Sequence, residues 1–116
     1  MKKKVVIFGL GRVYRTFLDV YDRSKMEIIA LSDNNRSLFD MGTELYENLV
    51  KPEEISKLDF DYIIVACSFY DEIAKQLEDY GIHKKYILNF YVVWENLLVQ
   101  DNYQNHNDLL ELLKEN

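Results

Sequence analysis

VVIFGLGRVYRTFL, residues 5–18, decides how this chain is read. An apolar, β-branched run ends on two glycines one residue apart, and the residues after them have helical spacing. Residues 4–8 (KVVIF) suit a strand buried on both faces. From Arg12 to Ser24 no Gly or Pro intervenes, and Val13, Phe17, Val20 and Tyr21 fall at i, i+4, i+7 and i+8, one face of a helix. A strand, a Gly-x-Gly turn and a helix start together bring free backbone N–H groups to one point, where they suit an anion. In such a turn Gly9 takes the tight bend and Gly11 lets the backbone approach a pyrophosphate. A third glycine, three residues on, would let the helix press against the strand, but Tyr14 stands there. Its ring either leaves a wider gap between helix and strand or fills the space above Gly9 and Gly11. Neither helps a dinucleotide: a ring turned away from the crevice still lets a ligand be accommodated, whereas a ring that fills the space is a fold without its dinucleotide.

The same alternation continues along the chain. Residues 26–32 (MEIIALS) read as a second strand, ended by Asp33-Asn34-Asn35, whose side chains bond to nearby backbone and favour turns. Residues 36–57 are mixed, with Gly42 as a turn, Leu49-Val50 as a short edge strand and Pro52-Glu53-Glu54 as a helix start. DYIIVACS (61–68) is a third strand with an apolar centre. Ser68 followed by Asp71 resembles a helix cap, and Tyr70, Ile73, Ala74, Leu77 and Tyr80 make a helical stripe that stops at Gly81, a C-terminal cap. YILNFYVV (86–93) reads as a further strand, and LLELLKEN closes the chain as a last helix. Strands separated by helices imply an α/β fold, a doubly wound and mainly parallel sheet with helices on both faces.

Composition narrows the function. At 116 residues, 48% hydrophobic and 14% aromatic, the chain has material for one domain with a real core, and no room for a second catalytic domain. The formal charge is −6 and the basic residues form no stripe beyond Lys2-Lys3-Lys4, which argues against nucleic acid as a partner. A single cysteine, Cys67, and two isolated histidines, His83 and His106, offer neither a disulfide framework nor metal-ligand spacing, so a reducing, cytoplasmic setting without a metal is expected. The apolar stretch after the three lysines is too short for a signal peptide or a membrane span.

In a doubly wound sheet, ligands bind where the strand order reverses and the carboxyl ends of neighbouring strands open a crevice. Here that crevice is expected between Gly9–Gly11 and Cys67–Tyr70. Asp33, 22 residues after Gly11 at the end of the second strand, stands about where an acidic residue accepts from a ribose hydroxyl in dinucleotide-binding proteins. The alternative is that Gly9 and Gly11 serve only the turn and Asp33 only caps the segment after the second strand.

The order IFGLG-R-x-Y, ALSDNN, G-x-x-L-Y-x-N-x-V-x-P-E-E-I, DYIIVAC and EIAKQLEDYGI resembles the Rossmann-like nucleotide-binding domains of bacterial polysaccharide and nucleotide-sugar proteins, over roughly residues 3–90. Such domains stand beside sugar acyltransferases, glycosyltransferases and nucleoside-diphosphate-sugar dehydratases. The resemblance implies phosphate and ribose contacts at Gly9, Gly11 and Asp33, with Ser68 in the crevice; Arg12, Tyr14 and Asn34 complete the candidate binding set. It implies NAD or a UDP-sugar type of nucleotide sugar as ligand, and a role accessory to cell-surface polysaccharide synthesis beside a separate catalytic chain or domain. On this reading residues 1–116 form one Rossmann-like domain with a helical extension at about 100–116. The other class kept open is an interaction or oligomerisation module that keeps only the fold, a homodimer through residues 90–113 being its natural form.

Other features read as structural. Tyr-x-x-x-Lys occurs at Tyr21/Lys25 and Tyr80/Lys84, but nine tyrosines make a chance match unsurprising and both pairs fall at helix ends. Cys67, among apolar neighbours, is a structural thiol. His83, in a loop with Lys84 and Lys85, is solvated. Glu53-Glu54 and Asp71-Glu72 sit in first helical turns, where acids favour the positive end of the helix dipole. Phe90, Tyr91 and Trp94 are core before they are a subunit contact. No nucleophile with its base and no proton-transfer pair emerges, so a stand-alone enzyme is not expected.

Overall fold

A computed structural model describes residues 2–40 and 46–91. Strands β1 (Lys3–Phe8), β2 (Met26–Ser32), β3 (Tyr62–Val65) and β4 (Ile87–Asn89) form one all-parallel sheet in the order β2-β1-β3-β4. Helices α1 (Arg12–Val20), α2 (Ser37–Asp40) and α3 (Tyr70–Asp79) and two short 3-10 turns, Pro52–Lys57 and Lys84–Tyr86, connect them. The chain is thus an α/β, Rossmann-like fold. Everything read into 92–116, including Trp94, the closing helix and a dimer contact, lies outside the described residues, as does Gly42.

Alternation along β1 divides the core. Val5 and Ile7 face α1, where Phe17 is fully buried between them, Ile64 and Phe90. Val6 and Phe8 face the opposite way, toward Ile73, Ala74 and Leu77 of α3 and Ile55 of the first 3-10 turn. Both faces of the sheet are therefore covered, as the uninterrupted apolar strands require. Phe90 meets Phe17 edge-on at 5.1 Å between ring centroids, which makes it core.

β2 carries an irregularity. Val5 pairs with Ile28 but Val6 with Ala30, so Ile29 is an extra residue opposite β1. This bulge resets the alternation of β2 by one residue. Ile28 packs on the α1 side, Ala30 with the α3 side, and Leu31 returns to the α1 side. Beyond β2, Leu49 forms a parallel bridge with Leu31, and the Val50 N–H donates to the Leu31 carbonyl at 2.8 Å, covering this sheet edge as a short strand.

Several boundaries differ from the sequence expectation. α1 ends at Val20 rather than near Ser24, because the Asp22 carboxylate accepts from both the N–H (2.8 Å) and the hydroxyl (2.6 Å) of Ser24 and so competes with the helical ladder. Val20, expected on the buried face, is exposed. β3 is shorter than 61–68, since the chain past Val65 forms the crevice loop. Ser68 does not cap α3: the N-cap is Phe69, and no side chain bonds the helix start. β4 is likewise shorter than 86–93, with a 3-10 turn ahead of it and helical conformation at Phe90 and Tyr91. The other end of α3 is as expected. Gly81 has φ +93°, its N–H donates to the Glu78 carbonyl at 2.9 Å, and the Ile82 N–H donates to the Leu77 carbonyl at 3.1 Å. That is a Schellman termination, sealed by burial of Ile82 in the same cluster as Leu77.

Candidate functional site

From β1 the chain moves to β2 on one side of the sheet and then to β3 on the other. The carboxyl ends of β1 and β3 therefore diverge at the switch point. Gly9 closes β1 with φ +105°, a conformation that L side chains rarely adopt, and a Cβ there would stand 2.9 Å from the Ala66 carbonyl oxygen at the end of β3. Gly9 is thus required by the fold itself. Gly11 differs: it is exposed, its φ is −95°, and a Cβ would meet nothing within 4 Å. It is the N-cap of α1, whose first turn bears no side-chain cap and no acidic residue. Arg12, at the first helical position, is exposed. The start of α1 accordingly presents uncapped N–H groups and a cation to solvent.

Asp33 closes β2 and reaches across to this loop. One carboxylate oxygen accepts the Leu10 N–H and the other the Asn35 N–H, both at 2.8 Å. The acidic residue expected to meet a ribose is thereby also the brace of the Gly9–Gly11 turn. Asn34 beside it exchanges two hydrogen bonds with Gln76 of α3, at 2.8 and 2.9 Å, tying the end of β2 to the helix that covers the opposite edge of the crevice.

Between these elements lies a cavity of about 580 Å3. Phe8, Cys67 and Ile73 form its apolar part, Asp33 and Asn34 stand on one side, and Phe69 and Glu72 of the α3 start stand on the other. Its size falls in the range that holds small molecules. Burial pushes the Cys67 thiol up from its ordinary pKa; a backbone hydrogen bond from Phe69 offsets part of this, and the nearby Asp33 and Glu72 carboxylates add to it. A raised pKa lowers the thiolate fraction of Cys67 and with it the reactivity of the thiol.

Tyr14 is turned the other way. Its ring meets Tyr46 edge-on, 6.4 Å between centroids, over Ile28 and Leu31 of β2. A hollow of about 250 Å3 lies beside it, between β2 and residues 46–48. Burial, followed by Tyr46 and Tyr21, raises the Tyr14 phenol above the usual tyrosine value.

Of the expected set, Asp33 and Asn34 line this cavity; Gly9 lies against Ala66 and Cys67 at the end of β3, and Gly11 and Arg12 follow the Leu10 N–H that Asp33 holds. Ser68 is exposed on the loop after β3 and Tyr14 packs over β2, so neither lines that cavity. Phe69, inside the expected Cys67–Tyr70 edge, and Glu72, read from the sequence as a helix-start acid, also line this cavity though neither was singled out. The signal for them was positional: an aromatic residue in the loop leaving a central strand, and an acid one turn later. The Tyr21/Lys25 and Tyr80/Lys84 pairs do not reach the cavity, Tyr21 being stacked on Phe17 at 5.0 Å. His83 is exposed and its Nδ1 accepts the Lys85 N–H at 3.1 Å. Among the described residues no group of three His, Cys, Asp or Glu is gathered to hold a metal ion, and no helix is long and apolar enough to cross a membrane.

Fold and crevice together define a Rossmann-like domain with an open strand-switch site. The chain belongs to the family described as C2185-like, N-terminal, whose model matches residues 1–88, from β1 into β4. A search of curated proteins returned no match.

Proposed function

We propose that this domain binds a nucleotide-containing small molecule, a nucleotide sugar or NAD, with its phosphates at the start of α1 and the rest of the ligand in the cavity between β1 and β3. One observation carries the reading: Asp33, which lines a cavity of about 580 Å3 at the strand switch, accepts the Leu10 N–H from the turn that leads into the exposed, uncapped start of α1. The Tyr14 ring packs against Tyr46 and is not among the residues that line that cavity. Chemistry on the ligand is assigned to a separate catalytic chain or domain, because the sequence offers no nucleophile with its base and no proton-transfer pair. Cell-surface polysaccharide synthesis as the setting rests on the sequence resemblance alone.

A second reading, an interaction or oligomerisation module without a ligand, is favoured by the engagement of both Asp33 oxygens within the chain. A thermal-shift screen of the full chain with NAD, UDP, UDP-sugars and CoA separates the two. A ligand at ten times its Kd adds about 1.4 kcal/mol to the folded state, roughly 5 °C in a domain of this size. A rise with NAD or a uridine nucleotide supports binding. No rise with any of the four classes at millimolar concentration leaves the module reading.

A further inference from the structure

The crevice has two chemically different halves. On the α1 side are backbone N–H groups without a cap and the exposed Arg12. On the α3 side, the described residues that line the cavity include two carboxylates, Asp33 and Glu72, and no basic residue. An acid-lined cavity repels phosphate but accepts hydroxyl donors. Phe69, at the lip of the same cavity, is 65% exposed, the most exposed of the large hydrophobic side chains in the described structure. A ring held in water at the mouth of an apolar-floored pocket suits a planar group that slides over it. Phe69 is the N-cap of α3 and Glu72 lies in that helix's first turn, so one short rigid element carries both.

We infer that Phe69 and Glu72 form the base-and-sugar half of the site: Phe69 stacks on the nucleobase and the Glu72 carboxylate accepts ribose hydroxyl hydrogen bonds opposite Asp33, while the phosphates stay on the α1 side. This rests on the nucleotide-binding reading above and gives it a direction. The ligand runs from α1 toward α3 across the switch point, with its anionic part kept out of the cavity by Asp33 and Glu72. A hydroxyl-rich, uncharged ribose enters where a ribose phosphate is rejected.

The test is calorimetric titration of the full chain and its Phe69→Ala, Phe69→Tyr and Glu72→Gln variants with UDP, NAD and inorganic pyrophosphate. Both side chains are exposed, so the variants keep the parent's melting temperature. Phe69→Ala is expected to weaken nucleotide binding roughly tenfold, as loss of one aromatic stacking partner does, and Phe69→Tyr to bind like the parent. Glu72→Gln is expected to weaken nucleotide binding about fivefold. Pyrophosphate, which has neither base nor sugar, is expected to bind all four proteins alike. If the parent binds UDP or NAD and the variants bind it equally well, the inference is overturned while the nucleotide reading stands. Tighter binding of nucleotide and pyrophosphate by Glu72→Gln also overturns it, since Glu72 would then act only by repulsion. If the parent binds neither nucleotide, the reading beneath it fails as well.

Discussion

The Asp33 carboxylate accepts the Leu10 N–H at 2.8 Å, so the end of β2 holds the turn between Gly9 and Gly11 in place. The same turn is fixed from a second direction by the Gly9 N–H, which donates to the Ser32 carbonyl at 2.9 Å. Removing the carboxylate leaves Leu10, which is buried, with an unmet donor. Asp33→Ala is expected to lower stability by about 1–3 kcal/mol, the range for an orphaned buried donor, read as the midpoint of urea unfolding. A loss below about 0.5 kcal/mol would mean that water replaces the bond and the brace is incidental.

The two glycines of the turn are expected to behave oppositely. Gly9→Ala combines a φ of +105° with a Cβ 2.9 Å from the Ala66 oxygen, both backbone constraints that no rotamer relieves. It is expected to destabilise the fold by about 2 kcal/mol or more. Gly11→Ala meets nothing within 4 Å and has an ordinary φ, so its melting temperature is expected to match the parent's within about 2 °C. Differential scanning fluorimetry of the two variants side by side checks the contrast.

Cys67 reports on the cavity. With its pKa raised, first by burial and further by Asp33 and Glu72, the thiolate fraction at pH 8 falls below that of a free cysteine. Alkylation by iodoacetamide is expected to be several-fold slower than for free cysteine and to speed up as the pH rises past the ordinary thiol value. A bound nucleotide should slow it further by covering the cavity. Equal alkylation rates with and without saturating ligand would put the ligand elsewhere.

Tyr70 links α3 to β4, its hydroxyl donating to the Ile87 carbonyl at 2.8 Å. Burial, then Asp71 and Glu78, raise its pKa in the fold. A group whose folded pKa is raised contributes stability that is complete below its unfolded value, about 10, and is lost as the pH rises through the folded value. Tyr70→Phe is expected to cost about 1 kcal/mol at pH 7. It should also flatten the alkaline decline of the melting temperature above about pH 10. A variant with an unchanged alkaline limb would assign that limb to other groups, Tyr14 among them.

Much of the fold was legible because strands buried on both faces announce themselves as apolar runs. β1 and β2 lie where KVVIF and MEIIALS put them, and the Gly81 cap ends α3 as its position implies. The Ile29 bulge was not legible, because MEIIALS is apolar nearly throughout and shows no alternation from which a phase change could be read. The premature end of α1 turns on Asp22, whose side chain can support a helix or a turn until tertiary packing decides. The places of Gly9, Gly11 and Asp33 at the strand ends and the start of α1 were readable from spacing alone. Phe69 fell inside the expected Cys67–Tyr70 edge but was not singled out, because an aromatic residue between a strand and a helix is core as often as surface; it lines the cavity across from Asp33.

The central claim is that the open start of α1 receives the phosphates of a nucleotide, and one comparison tests it most directly: calorimetric titration of the full chain and of Gly11→Asp with NAD and UDP. Nothing lies within 4 Å of a Cβ at this exposed position, so a short carboxylate side chain fits the fold while repelling a pyrophosphate at the helix start. The expected result is saturable binding to the parent and a loss of at least about tenfold in affinity in Gly11→Asp, at a melting temperature equal to or above the parent's because Asp caps the free start of α1. Equal binding by both proteins, or binding by neither, would contradict it.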